Sequence, residues 1–437
     1  MQPRIQHPTG TPQQANYGWL QWRILWTAVI IMSFGLILIY PATVQAKIFQ
    51  CAAGDVTCLI TSIKQANAQL GNSHKIRLAA GIYTLTAAEN ESNGPNGLPS
   101  ITNNLTIQGA GADSTILERN VNVLGFRLIH VAATGKLTLD GLTLRGGRSD
   151  ANDFGGGLYI NGGSVIISKS TLVNNVSIAS GGGIYINTGK MTIIKTTFAS
   201  NGSAFGSGGG LCITNGATVT ITASTLVNNF AYFFGGGLEV GNQATVTITN
   251  TTVLGNSATI GGGGLAGGGT LTLINSTVAR NSVAQGTGGG IYGGGTTHLL
   301  NSTIVENWGR DSVGGTFGGV VGSMTLQNTI IAHNFYDNLP GDCSPLGVTS
   351  LGDNLIGDSI ACPIELLASD LIGDPSLGSY TDDGTPGNGH FPLLETSPAI
   401  NAGNNAVCPK IDQLGEHRDK LCDIGAIEFQ GMAVSSR

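Results

Sequence analysis

Between residues 155 and 334 the chain alternates apolar and polar positions in short runs, each ended by glycine or asparagine. Leu211 and Ile213 alternate with Cys212 and Thr214. After Asn215-Gly216, Val219 and Ile221 alternate with Thr220 and Thr222, and Ser224-Thr225-Leu226-Val227-Asn228-Asn229 closes the unit. Period-two alternation over so few residues indicates strands rather than helix. The unit therefore reads strand, turn, strand, turn, strand. It recurs: the last glycines of successive GGG triplets fall at Gly157, Gly183, Gly210, Gly237, Gly264 and Gly290, with steps of 26, 27, 27, 27 and 26. A second column, Asn175, Asn201, Asn229, Asn256, Asn281, Asn307 and Asn334, keeps nearly the same period.

A period near 26 is too short for a four-stranded propeller blade and suits a coil of three parallel strands. One coil cannot stand alone, because its few inward aliphatics do not offset the entropy of ordering the whole unit. Stacked coils share a continuous core and pair their backbones above and below. The expected fold is all-β: a right-handed parallel β-helix of about nine to ten coils, 26–27 residues each. Val219, Ile221 and Leu226 should face inward, and Thr220 and Thr222 outward. The asparagine column should form a ladder at a bend, and the glycine triplets should allow positive φ at a tight turn. Leu59, Ile63, Ala66 and Leu70 in the segment Cys58–Leu70 have helical spacing. They predict a short N-terminal helix capping the open sheet edges.

Residues 24–40 form an uncharged apolar run preceded by Arg4 and Arg23 and followed by Pro41 and Val44-Gln45-Ala46. This pattern reads as a secretory signal peptide, with an uncleaved signal anchor as the alternative. The resulting division is 1–46 signal peptide or anchor, 47–100 N-terminal cap and first strands, 101–334 coils, 335–430 a loop-rich C-terminal cap, and 431–437 a tail. An exported chain keeps disulfides. Proximity pairs Cys51 with Cys58, Cys343 with Cys362 and Cys408 with Cys422. Cys212 is then left free as a strand filler. The expected location is extracellular or at the cell surface, with membrane contact only through the N-terminal segment.

The coils, with Asn354-Leu355-Ile356-Gly357, Asp370–Pro375, Ser397–Gly403 and Cys422–Phe429 in that order, carry a resemblance. The coils resemble those of secreted bacterial β-helix proteins with a pectin-lyase-like fold, and the tail resembles the choice-of-anchor Q domain. Cys58–Asn67 is similar to that group's N-terminal CSLREA-type helix but lacks its Arg-Glu pair. The resemblance covers about residues 50–430 and implies an exported, surface-associated architecture rather than a reaction.

Charge narrows the chemistry. Without Arg4 and Arg23, 18 basic residues face 26 acidic ones, a net charge of 18 − 26 = −8, and no basic cluster offsets it. Nucleic acid is not an expected partner. The resemblance implies that a lyase of this fold would need an acidic Ca²⁺ site with a Lys or Arg base, and a hydrolase clustered aspartates. The coils from Gly155 to Asn334 hold only Glu239, Glu306 and Asp311, in different columns. Lys169 and Lys195 share a column and read as solvated outer-strand positions. Asp382-Asp383 with His390 superficially resembles a hydrolase set but lies in the tail. Oxygen-rich tail turns suit Ca²⁺, yet no EF-hand or calcium-roll spacing occurs, so no cofactor is expected. Tyr159, Tyr185 and Tyr292 share an outward column that could stack on sugars. The favoured function is a non-catalytic adhesion or glycan-binding module with an extracellular polysaccharide or surface polymer as partner. The alternative is a carbohydrate-active enzyme, a polysaccharide lyase or glycoside hydrolase.

Overall fold

The computed structural model describes residues 46–69, 71–150, 153–310 and 317–431. The apolar run 24–40, Val44-Gln45 of the expected cleavage site, Leu70 and Asp311 lie outside the described residues. Among the described residues no helix is long and apolar enough to cross a membrane.

The chain winds into a right-handed parallel β-solenoid of about 11 turns, more than the nine to ten read from the repeats. The difference lies at the ends, where the glycine triplets are missing but strands persist. Ser73–Leu78 and Asn104–Gln108 join the stack before the first triplet, and Val348–Ser350 and Leu355–Ile356 continue it after the last. Each repeat bends three times, so its strands fall into sheets of 16, 12 and 9 strands. In one coil, Leu211–Ile213 and Thr218–Thr222 lie in the first sheet, Thr225–Val227 in the second and Phe230–Ala231 in the third. Pairing between coils is parallel and in register: Val219 lies on Val246, Ile221 on Ile248 and Leu226 on Val253. Val219, Ile221 and Leu226 are buried, while Thr220 is exposed and Thr222 half-buried.

The two repeat columns solve two problems of the bend. Asn229 donates from its backbone N and from Nδ2 to Asn256 Oδ1, both at 2.9 Å, and Asn256 Nδ2 donates to Asn281 Oδ1 at 2.9 Å and to Leu226 O at 2.9 Å. The ladder satisfies buried backbone carbonyls that the turn would leave without partners. It ends on Asp342, whose Oδ1 accepts from Asn334 N and Nδ2; burial pushes this carboxyl up to about 6. In the triplets only the first glycine has positive φ, as at Gly208 (φ 65°). The middle one is required by crowding, since a Cβ at Gly209 would sit 2.2 Å from Phe230 O.

Helix α1 (Val56–Ala68) closes the N-terminal end, capped by Asp55 accepting from Cys58 N at 2.8 Å. Its buried Leu59, Ile63 and Ala66 join the core of the first coils. The C-terminal region closes the far end of the core in its first part, where Cys343, Cys362, Ile364 and Leu366 pack against the coils. After Leu371–Ile372 the chain turns back along the outer face of the second sheet. Gly387 N donates to Thr225 Oγ1, Thr252 Oγ1 to Gly389 O, Thr277 Oγ1 to Gln413 Oε1, and Ala426 N to Thr303 Oγ1. A second apolar cluster forms beneath it from Ala279, Val305, Ala332, Phe391, Leu393 and Ile424. Arg418 and Glu428, each 2% exposed, pair at 2.9 Å inside this layer. The three disulfides are Cys51–Cys58, Cys343–Cys362 and Cys408–Cys422, and Cys212 is free.

Candidate functional site

The column that contains Tyr159, Tyr185 and Tyr292 is in register as the repeat requires: His130, Tyr159, Tyr185, Cys212, Glu239, Ala266 and Tyr292 follow one another up the first sheet. It points away from the core but does not present a flat binding face. Tyr159 and Tyr185 are each 8% exposed. Phe154 stacks on Tyr185 at 4.4 Å, His130 on Tyr159 at 5.6 Å, and Phe234 on Tyr292 at 5.7 Å. The Arg127 guanidinium lies over the Tyr159 ring at 5.0 Å. The expectation of a ligand-stacking face here is therefore corrected: residues that precede the glycine bend fold over the column, and its rings stack on protein. Within it Cys212 Sγ donates to Glu239 Oε2 at 3.2 Å, and burial pushes the thiol and the carboxyl up. A thiol held protonated is not a nucleophile.

The remaining candidates disperse. Lys169 and Lys195 are not on outer strands; they sit in the left-handed region (φ 46° and 48°) at the corner between the first and second sheets. Farther along, the same corner column becomes Asn250, Asn275, Asn301 and Asn328, buried under the returning tail. Glu306 pairs with Arg280 at 2.7 Å. Asp382 Oδ1 accepts from Gly384 N and Asp383 Oδ1 from Thr385 N, both at 2.8 Å, so this acidic pair builds a turn. His390 Nδ1 lies 2.7 Å from Asn388 O in the same turn region. Among the described residues no three His, Cys, Asp or Glu side chains converge on a metal position.

The third sheet holds a recess. Its outward column runs Phe230, Ser257, Ser282, Trp308, Phe335, one residue per coil. Two residues farther along, on the same outward side, come Tyr232, Thr259, Ala284 and Arg310, then Asp337. The sequence thus places large side chains on two coils and small ones on the two between. Phe230 forms one wall, Trp308 and Arg310 the other, and Ser257, Ser282 and Ala284 the floor. The walls stand about 14 Å apart, three strand spacings. The recess has a volume of ≈ 560 Å³. Phe230 is 42% exposed and Trp308 41%. Trp308 stacks on Phe335 at 4.8 Å and 28°, which leaves its other face toward the Ser282 coil. A volume of this size and a free aromatic face can receive a small ring or part of an extended chain. A sequence signal for it exists: Phe230, Trp308 and Phe335 each follow a ladder asparagine directly.

Comparison with known proteins agrees with the architecture. A family model described as a right-handed beta helix region matches residues 127–308. No curated protein sequence matches the chain. The solved structure of the pectate lyase Pel9A is similar over 89% of this chain and 98% of its own, at 16% identity and a TM-score of 0.50. The A-modules of the Azotobacter vinelandii mannuronan C-5 epimerases AlgE4 and AlgE6 cover 74% of this chain and 92% of their own, at 13% and 15% identity and TM-scores of 0.40 and 0.41. At such identity the pectate lyase likeness speaks for fold alone, and the fold is a right-handed parallel β-helix.

Proposed function

We propose that the protein is an exported, non-catalytic β-helix that binds polysaccharide in the recess of its third sheet. The observation that carries this reading is the free face of Trp308 opposite Phe230 across a floor of small residues that includes Ser257 and Ser282. Aromatic faces bind the apolar face of a sugar ring, while hydroxyl and backbone groups on the floor take its polar edge. Three disulfides support an oxidising destination, as do the apolar run 24–40 and the small residues at Val44 and Ala46. The order of the tail motifs supports the choice-of-anchor Q reading and a cell-surface location. The dispersal of the coil carboxylates supports binding over cleavage, because glycoside hydrolysis needs two carboxyl groups at a set separation.

Affinity electrophoresis of the purified protein through a panel of polysaccharides tests this reading. Retardation by at least one polymer is expected, with Trp308→Ala weakening it about tenfold, as truncation of a central aromatic anchor does. Unchanged retardation in the variant would remove the recess from the reading. New reducing ends or ultraviolet-absorbing unsaturated products would replace binding by the enzyme alternative.

A further inference from the structure

The recess also carries a preference among glycans, and this step rests on the binding reading above. Among the described residues, Arg310 and Asp337 are the two charged side chains that line it. Arg310 stands two residues after Trp308 on the same wall, so its guanidinium lies where the edge of a ring stacked on Trp308 would come. A guanidinium there is suited to a sugar carboxylate, which it meets with paired hydrogen bonds. Asp337 Oδ1, however, lies 4.0 Å from Arg310 Nε. Its position is set by the backbone: Asp337 N donates to Gly309 O at 3.3 Å, and Asp337 and Asn338 both hold positive φ (43° and 68°). These two residues form the turn that folds Leu339–Pro340 antiparallel onto Phe335–Tyr336. A carboxylate is thus built into the recess beside the only cation among its described lining residues.

We infer that the recess selects uncharged pyranose chains over uronate chains, and that Asp337 is the residue that sets this selectivity by occupying Arg310. A uronate would bring a second carboxylate against Asp337, in a protein whose exported part already carries net negative charge. An uncharged ring brings hydroxyls, which accept from Arg310 and donate to Asp337 without separating the pair. The corner beside the recess follows the same pattern, with Arg280 held by Glu306. The side chains of Arg310 and Asp337 are 78% and 42% exposed, so solvent screens the pair and the selectivity is expected to be several-fold rather than absolute.

Isothermal titration with hexasaccharides tests the inference: uncharged glucose, mannose and N-acetylglucosamine β-1,4 hexamers against galacturonate and mannuronate hexamers. The wild type should bind an uncharged hexamer at least fivefold more tightly than either uronate. Asp337→Asn keeps a residue type that tolerates positive φ. It should raise uronate affinity about three- to tenfold and change affinity for the uncharged hexamer less than twofold. The double variant Arg310→Gln/Asp337→Asn should lose that gain, which separates release of Arg310 from any rearrangement of the turn. Tighter binding of a uronate by the wild type, sensitive to Trp308→Ala, would overturn the inference and leave the binding reading intact. No change in uronate affinity on Asp337→Asn would do the same. Binding of neither class would end both.

Discussion

Thr297 occupies the inward column of the first sheet, paired in register with Leu271 on one side and Met324 on the other. It is fully buried, and its Oγ1 has no hydrogen-bond partner. A buried hydroxyl without a partner keeps its desolvation cost and returns nothing for it. Thr297→Val, which has nearly the same shape, should stabilise the protein by about 1–2 kcal/mol in urea unfolding. A loss of stability would show that the hydroxyl is bonded. At this scale the sequence is a good guide to direction and a poor one to surroundings. Alternation places Thr220 outward and Val219 inward because successive Cβ atoms leave a strand on opposite sides. It also places Tyr159 outward, but cannot say that Phe154, His130 and Arg127 pack around the Tyr159–Tyr185 column.

The asparagine ladder is the element that makes the bend between the second and third sheets possible. Asn256 is fully buried; it accepts from Asn229 N and Nδ2 and donates to Leu226 O and Asn281 Oδ1. Asn256→Ala would leave Asn229 N without its acceptor, Leu226 O without its side-chain donor, and Asn229 Nδ2 with Phe198 O alone. At about 1–3 kcal/mol for a buried group left unsatisfied, the loss should be about 2–4 kcal/mol. Thr247→Val, at an outward-pointing position of Thr245–Thr249, serves as the control and should stay within about 0.5 kcal/mol of the wild type. Equal effects from the two would mean that the ladder is ornamental. The ladder was legible in the repeat because its columns recur at the coil period. The corner column with Asn250, Asn275, Asn301 and Asn328 was not, because its early members are Lys169, Lys195 and Ala223 and only the returning tail buries its later ones.

Over the whole molecule, the fold-back of the tail is the largest departure from a plain solenoid. Arg418 donates to Glu428 Oε2, Asn275 Oδ1 and Gly425 O, tying the tail to itself and to the coils. Arg418→Met would strand the buried Glu428 carboxylate, at about 3–5 kcal/mol for breaking a buried pair from one side. The consequence should be local: faster amide exchange in the tail and in Thr225–Val227, Thr252–Leu254 and Thr277–Ala279, with the first sheet still protected. Uniform loss of protection across all coils would show that the tail and the solenoid unfold as one unit. The recess belongs to this scale too, since its walls come from coils 78 residues apart in sequence, at Phe230 and Trp308 (308 − 230 = 78).

What the sequence by itself determined is everything that depends on one coil and its copies: strand positions, the inward and outward sides, the register, the ladder and the parallel winding. The three disulfides were legible for the same reason, since each closes a short local loop. Only the tertiary structure decided what lies over each outward column. Thr225, Thr252, Thr277 and Thr303 in the second sheet and Thr220, Thr247 and Thr272 in the first are alike in pattern. The first set is bonded to a tail that returns from more than 100 residues away, while the second makes no such bond among the described residues. Alternation is a local property of backbone geometry, and covering is a property of where distant chain comes to rest. That is why the tyrosine column was read as an open face and the Phe230–Trp308 recess went unread.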